Sequence, residues 1–282
     1  MYTEVYYPDP ERKNVHLDCY LAKPSPEMPN FVRAAMLVLP GGAYMMTSDR
    51  EADPIARVYF ARGMQVFVLR YSVGADAVYP RPLVEASLAV KYIRDNAERF
   101  GIDPHRVYAV GFSAGGHLCA ALGTFWNADF LRDALLKPGL PAVAEGETRP
   151  DATILSYPVI TSGVYGHKGS FQTILGKSDP SEEEYDLYSI EKHVHEGTSP
   201  AFLWHTANDA LVPVQNSLLM AAALSGHRIP FEMHIFPDGP HGISLATAET
   251  AYGQAVLQNA HIASWVDMSC EFLKKLEEMK RV

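Results

Sequence analysis

The 282-residue chain predicts an α/β fold: a mostly parallel sheet of the eight-stranded type, helices on both faces, and antiparallel strands at the N-terminus. Three observations carry that expectation. Short apolar, β-branched runs recur along the chain, segments with helical spacing alternate with them, and the first thirty residues alternate in a half-buried manner instead.

In chain order, residues 4–7 and 14–22 alternate polar with apolar positions and are joined by the turn-rich PDPERK, which predicts the antiparallel start. The Pro-rich KPSPEMP at 23–29 reads as a loop into the first parallel strand. Buried strands are expected at residues 34–39, 65–69, 106–110, 152–156, 201–205 and 231–236, and helices at 53–62, 83–100, 114–122, 214–225 and 263–279. Two segments fit this rhythm poorly. Residues 124–150 are interrupted by LKPGLP and EGETRP, and residues 161–200 hold GHKGS, an acidic SEEEYD and HVHEG. Long connections inside a compact domain usually form lids or binding loops, so residues 1–282 are read as one domain whose two insertions roof a site.

Composition narrows the function classes. With 48% apolar and 20% charged residues the chain has ordinary globular composition. Its 24 Lys and Arg against 33 Asp and Glu give a formal charge of −9, which disfavours a nucleic-acid or anionic-membrane surface. Three cysteines at wide spacing (Cys19, Cys119 and Cys270) form neither a disulfide framework nor a metal-ligand pattern, which points to a reducing cytoplasm. The start, MYTEVYYPDPERKN, has no basic region followed by an apolar stretch, and no window approaches about 18 uninterrupted apolar residues. Neither a signal peptide of the usual kind nor a membrane span is therefore expected. No repeat or low-complexity tract interrupts the pattern.

The strongest local signal is RVYAVGFSAGGHLCAAL, where an expected strand runs through Gly111-Phe112-Ser113-Ala114-Gly115 straight into an expected helix. A bare G-x-S-x-G arises by chance in roughly one chain in ten of this length, so the strand–turn–helix setting is what gives it weight. A serine at such a turn exposes its hydroxyl at the carboxyl edge of the sheet, and glycine two positions to either side gives the turn room. The alternative is a tight structural turn with an idle serine.

A serine hydroxyl is a weak nucleophile at neutral pH and needs a base, which in turn needs a carboxylate to hold its tautomer. In a sheet of this kind the partners follow the serine as acid, then histidine, on loops after later strands. Asp209 lies four residues past the strand ending at His205, in HTANDALVP. His241 lies five past Phe236, in FPDGPHGISL. Asp209 also reads as a cap for the helix that begins near Pro213, and Asp238 competes with it for the acid role while sharing a tight loop with His241. Of the other histidines, His205 and His234 look like strand residues, His117 stands one helical turn after Ser113, and His193 and His195 form an H-x-H without the further ligands a metal site requires. Oxyanion donors are best supplied by fixed backbone N–H groups, and LPGGAY after the first parallel strand offers those of Gly42 and Ala43 beside that of Ala114. The same loop lacks the glycine spacing of a phosphate cradle.

The segments LPGGAY, RVYAVGFSAGGHLCAALGT, SPAFLWHTANDALVPVQNSLLMAAAL and FEMHIFPDGPHGISLA, in that order, resemble the α/β-hydrolase superfamily, and within it the small BD-FAE-like, acetyl- or xylan-esterase-like enzymes. The resemblance covers most of the chain. It implies an α/β-hydrolase fold, Ser113 as nucleophile, Asp209 as acid, His241 as general base, and oxyanion donors at Gly42, Ala43 and Ala114. It further implies a cofactor-free, metal-free serine esterase acting on small acyl esters, with acetylated sugars as the suggested substrates. Tyr44, Phe112 and His117 are expected to shape the pocket. Pro40 departs from the hormone-sensitive-lipase pattern, in which a histidine opens the H-G-G-G loop, and leaves open what braces the oxyanion loop here. An amide substrate, as in peptidase or arylformamidase relatives, is an alternative reading, and a non-catalytic ligand-binding protein is another. The expected partner is a small-molecule ester, with no nucleic acid and no membrane; a homodimer is left open.

Overall fold

The computed structural model describes residues 1–8, 12–28 and 31–279. Within them one sheet contains β1 (Tyr2–Tyr6), β2 (His16–Leu21), β3 (Arg33–Leu39), β4 (Gln65–Arg70), β5 (Ile102–Phe112), β6 (Ala152–Ser156), β7 (Ala201–Thr206) and β8 (Phe231–Phe236). Their order across the sheet is β1-β2-β4-β3-β5-β6-β7-β8. β2 is antiparallel to both neighbours, and every pair from β4 to β8 is parallel. The helices are α1 (Asp53–Ala61), α2 (Arg81–Asp95), α3 (Ala97–Phe100), α4 (Ser113–Thr124), α5 (Asp129–Leu135), α6 (Lys168–Leu175), α7 (Glu182–Asp186), α8 (Gln215–Gly226), α9 (Ala260–Ala263) and α10 (Trp265–Met279).

The parallel strands are apolar on both sides because both sides are covered. In β3, Ala35, Leu37 and Leu39 enter a core shared with α2, α4 and α8, while Ala34, Met36 and Val38 enter a second core beneath α1 and α10. That double burial is what the near-continuous apolar runs encode. β1, in contrast, alternates half-buried with exposed positions and lies at an edge. Of the connections expected at 8–13 and 23–29, residues 9–11 and 29 lie outside the described residues.

Two element boundaries differ from expectation for identifiable reasons. β5 begins at Ile102, because Ile102 pairs with Arg33 ahead of the apolar run, and the intervening Asp103–Arg106 stretch carries too little hydrophobicity to read as strand. The helix expected over 83–100 is divided at Asn96, whose Nδ2 donates to the Tyr92 carbonyl at 2.9 Å, a local side-chain bond that competes with helix continuation.

The insertions also divide. Residues 124–150 leave the end of α4 remote from Ser113 and return to the start of β6; Glu147 there meets Lys91 and Arg94 near the end of α2. They line a cavity of about 660 Å³. The early part of 161–200 does lie at the carboxyl edge. Asn216 accepts from the N–H groups of Ile160 and Thr161 and donates to the Tyr165 carbonyl, which ties the segment to the first turn of α8.

The strand order reverses direction at β3, whose neighbours are β4 on one side and β5 on the other. Loops leaving β3 and β5 therefore open a crevice at a topological switch point. α4 follows β5 there and is nearly swallowed: eleven of its twelve residues are buried. Its closeness to the sheet rests on glycine. A Cβ on Gly115 would lie 2.2 Å from the Leu39 carbonyl oxygen and 2.3 Å from that of Pro40. Among the buried residues His117 is held neutral: Nε2 donates to the Tyr188 carbonyl at 2.8 Å, and Nδ1 accepts from the Tyr44 hydroxyl at 2.8 Å. Burial pushes its imidazole down to about 4, against the Tyr188 bond, which raises it.

Two outcomes follow. Gly115→Ala costs on the order of 3–5 kcal/mol in chemical denaturation, whereas Gly226→Ala, where a Cβ meets nothing within 4 Å, stays within about 0.5 kcal/mol of wild type. An imidazole whose folded value lies below its unfolded value of about 6.5 contributes stability that is complete above that pH and is lost as pH falls toward the folded value. Wild type thus loses about 3 kcal/mol through this group between roughly pH 6.5 and pH 4, and His117→Gln lacks that part of the slope. Superimposable pH–stability curves for the two proteins would contradict the assignment.

Candidate active site

The turn between β5 and α4 sets Ser113 at φ +51°, left-handed backbone that a non-glycine residue adopts at a cost. Its flanks leave no choice of residue. A Cβ on Gly111 would stand 2.1 Å from the Gly115 carbonyl oxygen, just as one on Gly115 would strike the β3 exit. The serine is thereby presented at the sheet edge, and its own carbonyl accepts from Val159 N–H at 3.0 Å.

Asp209, on the loop after β7, has two oxygens with different tasks. Oδ1 accepts from the N–H groups of Leu211 and Val212, both at 2.9 Å, and so shapes the turn before α8. Oδ2 faces His241 Nδ1 at 2.6 Å and His205 Nε2 at 3.4 Å. His241, after β8, presents Nε2 to Ser113 Oγ at 2.8 Å. The three side chains from three strand ends thus form one hydrogen-bonded chain. Burial works against ionisation of Asp209, but the bonds from His205 and His241, the charge of His241 and the Val212 N–H outweigh it, and its carboxyl is held well below the usual carboxylate range. Asp238 accepts from the Asn208 side chain.

The Gly41–Tyr44 loop after β3 runs through left-handed backbone at Gly42 (φ +129°), Ala43 (+55°) and Tyr44 (+60°). Among the described residues the N–H groups of Gly42 and Ala43 donate to no backbone carbonyl, and Ala114 N–H belongs to the first turn of α4, where no helical partner exists. These donors remain available to an incoming oxygen. Gly41 N–H is taken by Glu51 Oε2 at 2.8 Å, and the Pro40 carbonyl accepts from Tyr71 OH at 2.5 Å. The Glu51 carboxyl and the Tyr71 phenol therefore brace the loop that begins at Pro40.

Tyr44, Phe112 and His117 are at most 1% exposed, so their side chains support the site from behind rather than wall a pocket. Phe112 packs on Tyr157 and Trp265, and Tyr44 bonds with Tyr79 and His117. His193 and His195 each point Nε2 at a carbonyl, of Asp186 and Thr124 respectively. Four residues near the chain went unrecognised in the sequence as parts of a site: Glu51, Tyr157, His167 and His205. Tyr157 lies edge-on to the His241 ring, with centroids 5.1 Å apart. His167 accepts from Ser170 N–H at the start of α6; burial and then the charge of His241 push its imidazole below the ordinary range, with Asp209 opposing. Nothing local marks Glu51 or Tyr157, whose bond spans 106 residues, whereas His205 meets Asp209 only four residues on and His167 meets Ser170 three residues on.

Comparison with known proteins shows the family. Residues 17–224 match the BD-FAE family model. The chain is 41% identical over 220 residues to an endo-1,4-beta-xylanase B from Butyrivibrio fibrisolvens, covering 77% of this chain and 33% of that protein. It is 30% identical over 235 residues to an acetylxylan esterase from Xylanibacter ruminicola, covering 81% and 44% respectively. It thus spans less than half the length of either relative. Among solved structures it superposes on an acetyl ester-xyloside bifunctional hydrolase from Caldicellulosiruptor lactoaceticus (TM-score 0.76, 33% identity, 94% of this chain and 88% of that one) and on a carboxylesterase from Lactobacillus plantarum (0.83, 27%, 98% of each). With its eight-stranded sheet, serine turn and these relatives, the chain belongs to the BD-FAE family of the α/β-hydrolase fold.

Proposed function

We propose that the protein is a serine carboxylesterase that hydrolyses small acyl esters through an acyl-enzyme, with acetylated sugars as the favoured substrate class. The observation that carries this reading is the unbroken Asp209–His241–Ser113 chain at 2.6 and 2.8 Å. Ser113 Oγ attacks the ester carbonyl as its proton passes to His241 Nε2, and the ionised Asp209 stabilises the imidazolium so formed. The carbonyl oxygen gains negative charge against the N–H groups of Gly42, Ala43 and Ala114. Collapse breaks the bond to the alcohol, which leaves with the proton from His241. Water then repeats the sequence on the acyl-serine and releases the carboxylic acid. The acetyl-sugar preference is supported by what the relatives are called, an acetylxylan esterase and an acetyl ester-xyloside hydrolase.

An active-site phosphonate adds once, at Ser113, and Ser113→Ala takes up none; an unlabelled wild type would favour a ligand-binding role. On a panel of p-nitrophenyl acyl esters and aminoacyl anilides, acetate is the preferred acyl group, and faster anilide cleavage would overturn the ester assignment. Asp209→Asn retains an oxygen for the Leu211 and Val212 N–H groups while losing the charge, so kcat falls on the order of 10⁴-fold with the fold intact by circular dichroism. A loss under tenfold would remove Asp209 from its role.

A further inference from the structure

Glu51 is a buried carboxyl, 4% exposed, on the short 3₁₀ turn that precedes α1. Nothing in ester chemistry requires a carboxyl there. Its two oxygens nevertheless reach both halves of the site: Oε2 accepts from Gly41 N–H at 2.8 Å, and Oε1 accepts from Tyr157 OH at 2.6 Å. Tyr157 OH in turn accepts from Ser244 N–H at 3.1 Å, three residues past His241, and its ring lies edge-on to the imidazole. Tyr157 is itself in left-handed backbone, at φ +37°. Gly41 has no room to shift, since a Cβ on it would lie 2.6 Å from Glu51 Oε2, 2.7 Å from the Phe112 carbonyl oxygen and 3.1 Å from Ser113 Cβ.

We propose that Glu51 is a positioning residue that fixes the oxyanion loop and the His241 loop relative to each other, acting through Gly41 N–H on one side and Tyr157 on the other. This rests on the esterase reading for its effect on turnover, but the positioning is a property of the fold. Both acceptor sites on the carboxylate are in use, so the role requires a group that accepts twice and donates nothing. Burial pushes the carboxyl above the ordinary range, while the Tyr157 bond, the charge of His241, the Gly41 N–H and Arg50 work in the opposite sense. Tyr71 OH, bonded to the Pro40 carbonyl, completes the brace.

The test is Glu51→Gln, which preserves shape but places an NH₂ against either Gly41 N–H or the Tyr157 hydroxyl proton, with Tyr157→Phe as its partner variant. On p-nitrophenyl acetate, Glu51→Gln lowers kcat about 10- to 100-fold, of the order expected for a displaced oxyanion donor, with KM within about twofold of wild type. Affinity for a boronic acid, which forms a tetrahedral adduct with Ser113, falls in step with kcat. Tyr157→Phe has a smaller effect, and the double variant is less impaired than the product of the single losses. Two readouts do not need turnover: amide exchange at Gly41 accelerates, and the His241 Nδ1 proton resonance shifts in Glu51→Gln. A folded Glu51→Gln with wild-type kcat, Gly41 exchange and imidazole resonance would overturn the proposal. So would losses that merely follow a reduced folded fraction. A wild type that neither hydrolyses esters nor reacts with phosphonate refutes the esterase reading instead, and exchange at Gly41 and the His241 resonance then decide on Glu51 alone.

Discussion

The absence of room for any side-chain atom beside Gly111 and Gly115 is the constraint from which the rest of the site follows. Because the Leu39 and Pro40 carbonyls lie where a Gly115 Cβ would be, α4 starts in contact with the exit of β3. The serine and the glycine loop are then neighbours by construction, and the switch in strand order at β3 puts both at one crevice. Strain at Ser113, Ala43 and Tyr44 is the local cost of this arrangement, tolerated because the surrounding double-sided core over-determines the backbone.

Polar contacts then divide the labour. Asp209 Oδ1 closes a turn while Oδ2 meets the imidazole, so one side chain serves the helix entry and the histidine contact at once. Asp238 was excluded by its partner Asn208 rather than by distance along the chain. On the far side of the glycine loop, Glu51 and Tyr71 brace the Pro40–Gly41 backbone with groups supplied from outside the loop itself.

How much of this was legible in the sequence depended on range. The runs at 34–39 in β3 and 201–204 in β7 are legible because burial on two faces leaves them without a polar position. Ser113, Asp209 and His241, which the structure joins by hydrogen bonds, are legible as candidates because turn chemistry and chain order constrain them locally. Glu51 sits in an unremarkable acidic stretch, and its meaning comes from Tyr157, 106 residues away, so no window of sequence could disclose it. The burial of Tyr44, Phe112 and His117 is not legible for the same reason: proximity to the serine along the chain says nothing of the aromatic rings packed around them.

α4 has a further consequence for how the molecule fails. Three glycines in a helix of twelve residues weaken its intrinsic preference by about 1 kcal/mol each, so the helix persists through the contacts of its buried surface. A segment of that kind has no independent melting of its own: it opens when the whole cooperative unit opens. Thermal inactivation therefore coincides with global denaturation, with no earlier stage in which the serine corner softens while the body of the protein stays native.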